Sequence, residues 1–190
     1  MTDDIIKSII ETITPIRELK DLPDEKGIYA IFIDKTGDLG VFGRTEQLIY
    51  VGIAKKSLRS RDIETHFKTG QTGFSSLRRS LGAILKTKLK LSAQKRDISP
   101  KRLRADKYKF DEQGEAELTI WMFENLKIGY WSSPNPLTST QLKEEEEKVI
   151  IKLKPTLDLD KRTKHLNPLA IELDSLREIC RHEVKKNSPI

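Results

Sequence analysis

Gly27-Ile28-Tyr29-Ala30-Ile31-Phe32-Ile33 and Leu48-Ile49-Tyr50-Val51-Gly52-Ile53-Ala54 decide how this chain folds. Both runs are dominated by β-branched, aromatic and other apolar side chains, the composition of buried strands. The stretch between them, residues 34–47, is polar and studded with glycine, so the runs are predicted to pair antiparallel across an elaborated loop. Each strand also sets a tyrosine close to a glycine. A tyrosine in a core strand is ordinarily a packing residue with a bonded hydroxyl. A glycine beside it lets another chain or a ligand approach closely.

Upstream, Ile5, Ile6, Ile9, Ile10 and Ile13 recur at helical spacing behind Asp3 and Asp4, which predicts an amphipathic helix stopped at Pro15. Downstream, Leu58, Arg61, Ile63 and Phe67 fit a short helix ending at Gly70. A further helix begins at Ser75 and Ser76, with Phe74, Leu77, Leu81, Ile84 and Leu85 on its apolar face. Arg78, Arg79, Lys86, Lys88 and Lys90 are expected on its other side. Leu118, Trp121, Met122 and Leu126 suit a helix packed on the core, and Leu126–Trp131 reads as a third strand. Thr138 or Ser139 caps a helix that buries Leu142, Val149, Ile150 and Leu153 and ends at Pro155. Leu169, Leu173, Leu176, Ile179 and Cys180 define a terminal amphipathic helix.

The 190 residues suit one domain, or a small catalytic domain with extensions. With 36% hydrophobic and 34% charged residues the chain is rather polar, and no run reaches the length of a membrane helix. The N-terminal segment carries acids where a signal peptide needs bases, which predicts a cytoplasmic protein. Cys180 is the single cysteine, which excludes an internal disulfide and a cysteine-based zinc site.

The net charge of +6 permits nucleic-acid binding without requiring it. Its distribution is more telling: between Lys86 and Lys109 ten lysines and arginines, Arg102 and Arg104 among them, stand against two aspartates. Such a segment is either a solvated face or a phosphate-contacting surface whose grip weakens with salt.

Gly27-Ile28-Tyr29 and Tyr50-Val51-Gly52 resemble the paired signature of the GIY-YIG nuclease family, and later segments extend the likeness to a bacterial branch of it. Leu58-Arg59-Ser60-Arg61 matches the family's leucine-x-x-arginine pattern, and His66-Phe67 resembles its histidine segment. Glu146 stands nine residues before Pro155, with Val149-Ile150 where the family has an apolar pair. The resemblance spans roughly Gly27 to Asp158.

It implies a small α/β fold: a three-stranded, mainly antiparallel sheet flanked by helices. The expected layout is an N-terminal helical extension over 1–25, a catalytic domain over 26–160 with a basic helical insert at 74–109, and a C-terminal helical extension over 161–190. It also implies a metal-dependent endonuclease acting on DNA. Phosphodiester hydrolysis needs an activated water, relief of charge on the phosphoryl oxygens and help for the leaving oxygen. Glu146 would bind the metal, Mg2+ or Mn2+, in an oxygen-rich shell, with Glu147 as its rival. Arg61 would clamp the phosphate through its planar fork of donors, with Arg59 as the rival. Tyr29 and Tyr50 would flank the water, Tyr50 favoured as base, their hydroxyls lowered by Arg61 and the metal. His66 would relay a proton or bind phosphate. Arg59, Arg78, Arg79, Lys86, Lys88, Arg102 and Arg104 would grip the DNA backbone, and a break through both strands would call for a homodimer or repeated binding.

The chain departs from the family pattern in four places. The span 30–49 between the tripeptides is long. Arg61 and His66 are five residues apart, which on a regular helix turns them about 140° from each other. Ile53 stands where some members carry lysine. Asp158 stands where an asparagine is expected, keeping an acceptor but losing the amide donors, so its role as a brace of the site is in question. These departures motivate an alternative of a different class, a decayed nucleic-acid-binding module, and the basic character allows a third, a protein-interaction domain.

Overall fold

The computed structural model describes residues 1–96, 107–133, 135 and 137–187. In chain order its main elements are α1 (Thr2–Glu11), β1 (Thr14–Pro15), β2 (Gly27–Ile33), β3 (Leu48–Ala54), α2 (Leu58–Arg61), α3 (Ser76–Ile84), β4 (Ala93–Gln94), β5 (Lys109–Phe110), α4 (Glu112–Asn125), β6 (Leu126–Ser132), α5 (Ser139–Leu153) and α6 (Ala170–Lys186). A π-helical turn, Asp62–His66, runs on from α2.

The class is α/β as predicted, but the main sheet has four strands rather than three, in the order β1-β6-β2-β3 with every pair antiparallel. The added strand is β1, which pairs Thr14 with Ile128 and Pro15 with Lys127. It is too short to carry a period-two pattern, and its proline, expected only to stop the preceding helix, is tolerated because β1 is an edge strand.

The chain divides into two compact units, Met1–Glu64 with Met122–Ala170, and Thr65–Trp121 with Ile171–Ile190. In the first, the sheet has two chemically different faces. Ile28, Ala30 and Val51 turn to one side, where Ile5 and Ile9 of α1 and Leu142, Val149 and Ile150 of α5 close a hydrophobic core on them. Tyr29 and Ile31, with Gly52 and Tyr50 across from them, turn to the other. The Thr12 hydroxyl fastens the end of α1 to β6, donating to the Tyr130 carbonyl at 2.8 Å and accepting the Tyr130 N–H at 2.7 Å.

Pairing between β2 and β3 slips by one residue: Ile31 opposes Tyr50 but Phe32 opposes Leu48, leaving Ile49 as a bulge. The Leu157 N–H takes the Ile49 carbonyl at 2.8 Å. Of the span 30–49, residues 30–33 and 48–49 are strand, and the connection itself is residues 34–47.

The second unit holds the β4–β5 ribbon, α3 and most of α4 and α6. Its interior is organised around a cation. Arg78 is fully buried, with Nη2 2.8 Å from Glu115 Oε2, Nε donating to Thr72 Oγ1 at 3.0 Å and Nη1 to the His66 carbonyl at 3.2 Å. A buried arginine is tolerable only when its donors are met in this way. Among the described residues no helix is long and apolar enough to cross a membrane.

Candidate active site

Tyr29 opposes Gly52 while Ile31 opposes Tyr50, so the two tyrosines are diagonal neighbours on one face of the β2–β3 hairpin. Their ring centroids lie 6.1 Å apart with planes tilted by 33°. Gly52 makes this arrangement possible, since a Cβ there would sit 2.4 Å from Tyr29 Oη and 2.9 Å from Tyr50 Cε1. Gly27 serves α2 in the same way: a Cβ there would lie 2.2 Å from the Trp131 carbonyl oxygen and 2.9 Å from Leu58 Cδ1. Each tripeptide's glycine thus permits a close approach that any side chain would forbid.

Ser57 caps α2 by accepting the Ser60 N–H at 3.1 Å, and buried Leu58 anchors the turn against the sheet. From there Arg61 reaches Tyr29 and hydrogen-bonds its hydroxyl. Tyr29 is fully buried. Burial, reinforced by Tyr50 and Asp62, holds its hydroxyl well above the ordinary phenol range, and Arg61 only partly offsets this. At Tyr29 desolvation thus outweighs the nearby cation. Tyr50 is half-buried. Arg59, the rival arginine, turns to Asp21 on the surface.

Asp62 carries no signal in the sequence. It is fully buried, and neither carboxylate oxygen has a hydrogen-bond partner among the described residues. Burial pushes its carboxyl well up, against the pull of Arg61. It opens the π turn, a form found often at functional sites.

Three successive glutamates of α5 are sorted by direction. Glu145 accepts from Thr2 Oγ1 at 2.8 Å and Lys148 Nζ at 2.6 Å. Glu146 is buried and its Oε2 accepts from Arg162 Nη2 at 2.7 Å, while the half-buried Glu147 lies 3.5 Å from Arg162 Nη1. Burial raises the Glu146 carboxyl, Arg162 opposes it, and Asp160 and Asp158 add to the rise. Arg162 is itself held: Asp160 Oδ1 accepts its Nε at 2.9 Å and its backbone N–H at 3.0 Å, and the Lys143 carbonyl accepts Nη1 at 3.2 Å.

Lys154, in the left-handed region at φ 48°, ends α5 and turns the chain back toward β3. The Thr156 hydroxyl donates to the Phe42 carbonyl, and Leu157 bonds to Ile49, the residue before Tyr50. Asp158 Oδ1 accepts the Asp160 N–H at 3.0 Å, while Oδ2 is buried without a hydrogen-bond partner among the described residues. Asn167 supplies what Asp158 cannot. Its Nδ2 donates to the carbonyls of Thr156 and Asp158, both at 2.8 Å, and its Oδ1 accepts the Leu169 N–H at 2.9 Å. Asp158 braces the loop only as an acceptor, because a carboxylate has no N–H to give.

In the first unit the structure thus gathers Tyr29, Tyr50 and Arg61 into one group and Glu146 and Asp158 into another, the Leu157–Ile49 bond tying the second group's loop to the tyrosine strand. His66 belongs to the second unit, where it is fully buried with Nδ1 2.6 Å from Ser75 Oγ. The segment leading to it is wound as a π turn, so the 140° divergence expected of a regular helix has no basis here.

The predicted DNA-gripping residues divide sharply. Arg78 is enclosed as described, and Arg79 is buried with Nη1 on the carbonyls of Thr72 and Gly73 at 3.1 and 3.0 Å. The expectation that both face solvent is corrected; their guanidinium groups are used inside the second unit. Phe74, assigned to the apolar face, is instead exposed, with Arg96 stacked 4.8 Å from its ring centre. Lys86 pairs with Glu183 at 2.6 Å, Lys88 is exposed, and Arg102 and Arg104 lie outside the described residues.

Sequence reasoning missed Asn167, Arg162 and Asp62. Asn167-Pro168 ahead of an apolar-periodic segment is a turn and helix-start signal that marks the first. The other two carry no local signature, since the partners of Arg162 and the burial of Asp62 are set by the fold.

A family model described as GIY-YIG catalytic domain matches residues 27–179. No curated protein and no solved structure matches the chain.

Proposed function

The chain belongs to the GIY-YIG catalytic-domain family of nucleases, and from that premise we propose that it is a divalent-metal-dependent endonuclease that hydrolyses phosphodiester bonds in DNA. The observation that carries this reading is the tyrosine pair, held 6.1 Å apart on one face by a glycine that leaves room for it and met there by Arg61.

The roles follow from access. Tyr50 is half-buried and can meet water, so it is the base. Tyr29 is enclosed and keeps its proton firmly, so it orients the water and Arg61. Arg61 presents the rest of its guanidinium fork to the scissile phosphate. Glu146 is an oxygen donor suited to a hard cation, and the described residues hold no group of three or more His, Cys, Asp or Glu that could cage one. A single protein carboxylate completed by water and phosphate oxygens fits that donor set. Mg2+ or Mn2+ bound there would relieve charge on the phosphoryl and leaving oxygens. The amide donors of Asn167 at the loop after α5 support a working site over a decayed one.

The test is cleavage of supercoiled plasmid, single-stranded, flap and four-way-junction DNA with Mg2+, Mn2+ or chelator. Wild type should cut only with metal, and Tyr50→Phe, Arg61→Ala and Glu146→Ala should each lose about 100-fold or more. Cutting by Glu146→Ala at the wild-type rate would overturn the assignment. Salt-sensitive DNA binding without cutting in any metal would favour the binding module, and no binding at all the protein-interaction domain.

A further inference from the structure

We propose that Arg162 stands where a divalent cation binds Glu146, and that cation binding exchanges this guanidinium off the carboxylate. The inference rests on the reading of Glu146 as the metal ligand.

Arg162 is not a drifting surface side chain. Asp160 Oδ1 accepts both its Nε and its backbone N–H, at 2.9 and 3.0 Å, and the Lys143 carbonyl accepts Nη1 at 3.2 Å. These bonds aim Nη2 at Glu146 Oε2, 2.7 Å away, a charge-assisted contact. The same guanidinium also neighbours Glu147 at 3.5 Å, so one cation serves three carboxylates.

Buried Glu146 needs a positive partner, because a carboxylate left unpaired out of water is strongly unfavourable. Arg162 meets that need in the metal-free protein. A divalent cation meets it with twice the charge and direct oxygen bonds. The two compete: both want the same carboxylate lone pairs, and side by side they repel. Arg162 can yield, because its side chain is 32% exposed and keeps Asp160 as an anchor on the solvent side. The position 16 residues beyond Glu146 thereby sets how readily the site takes its metal.

Direct Mn2+ binding to the full chain tests this, read by loss of the free-ion paramagnetic resonance signal. Arg162→Gln removes the competing charge and should bind Mn2+ about tenfold more tightly than wild type. Arg162→Lys should resemble wild type, and Glu146→Gln should bind most weakly. Equal or weaker binding by Arg162→Gln, with Glu146→Gln still weakest, would overturn the exchange and leave Glu146 as the ligand. Wild-type affinity in Glu146→Gln would overturn the ligand reading and the exchange with it. A second measurement needs no glutamine variant: in the wild type, the Arg162 side-chain N–H resonances, identified by their absence in Arg162→Lys, should shift as Mg2+ is added. Resonances that stay fixed at saturating Mg2+ would overturn the exchange.

Discussion

Asn167 holds Asp158 by its backbone: Nδ2 donates to the Asp158 carbonyl at 2.8 Å and, at the same distance, to that of Thr156. One buried amide therefore fixes the loop that leads from α5 back to the tyrosine strand. Asn167→Ala would leave both carbonyls short of a donor. The expected loss is about 2–3 kcal/mol of stability, read from the urea midpoint. Asn167→Asp should do no better, since it sets an acceptor against two acceptors. An unchanged midpoint in both variants would show that the clamp holds nothing.

Gly52→Ala would drive a methyl group into the Tyr29 hydroxyl, 2.4 Å from the ideal Cβ position, with the Tyr50 ring 2.9 Å away. The ring must shift by close to 1 Å, and a displacement of that size at a reacting centre costs on the order of 100-fold in rate. DNA affinity should hold. Parallel cleavage and binding assays check this, and a variant that cuts at the wild-type rate would remove Tyr29 from the site.

Arg78 and Lys88 predict opposite behaviour although both were read as DNA contacts. Arg78→Ala strands a buried Glu115 and should cost about 3–5 kcal/mol, seen in thermal melts, so any loss of DNA binding would follow from lost fold. Lys88→Ala, at an exposed position, should stay within about 0.5 kcal/mol of wild type. If Lys88 touches phosphate, its removal should lower the salt slope of binding by about one.

Asp62 gives a pH dependence with a definite sign. Burial raises its carboxyl well above the ordinary 3.8 in the folded protein, so the native state holds this proton more tightly than the unfolded chain does. Its stabilising contribution is complete below the unfolded value and drains away as pH climbs through the folded one. An asparagine in its place has no such proton to lose. Asp62→Asn should match wild type in acid and exceed it at neutral pH, by urea titration at stepped pH. A wild-type advantage at neutral pH would mean that the carboxylate is charged and held.

The hairpin and the helices around it were legible because each rests on local pattern: apolar runs and caps. Arg78 and Arg79 were misread because two adjacent arginines on a helix look like surface charge until Glu115, 37 residues away, comes to meet one of them. Arg162 was invisible for the same reason, and Asp62 because only the fold buries it. Asn167 was missed differently. The family spacing points three residues past the proline, whereas the fold delivers an amide to that loop from nine residues beyond Asp158. β1 escaped because two residues are too few for any periodicity.

The bulge at Ile49 also bears on how the hairpin tolerates change in length. Removing Ile49 would restore an unbroken ladder, with Tyr50 still opposite Ile31 and Leu48 opposite Phe32. As a sheet that hairpin would be the more regular one. It would also lack the outward carbonyl on which Leu157 fastens, and the segment running on from Glu146's helix would lose its mooring beside Tyr50. The surplus residue is a tether point, and a deletion there would trade the link between the Tyr50 strand and the loop after α5 for a tidier strand.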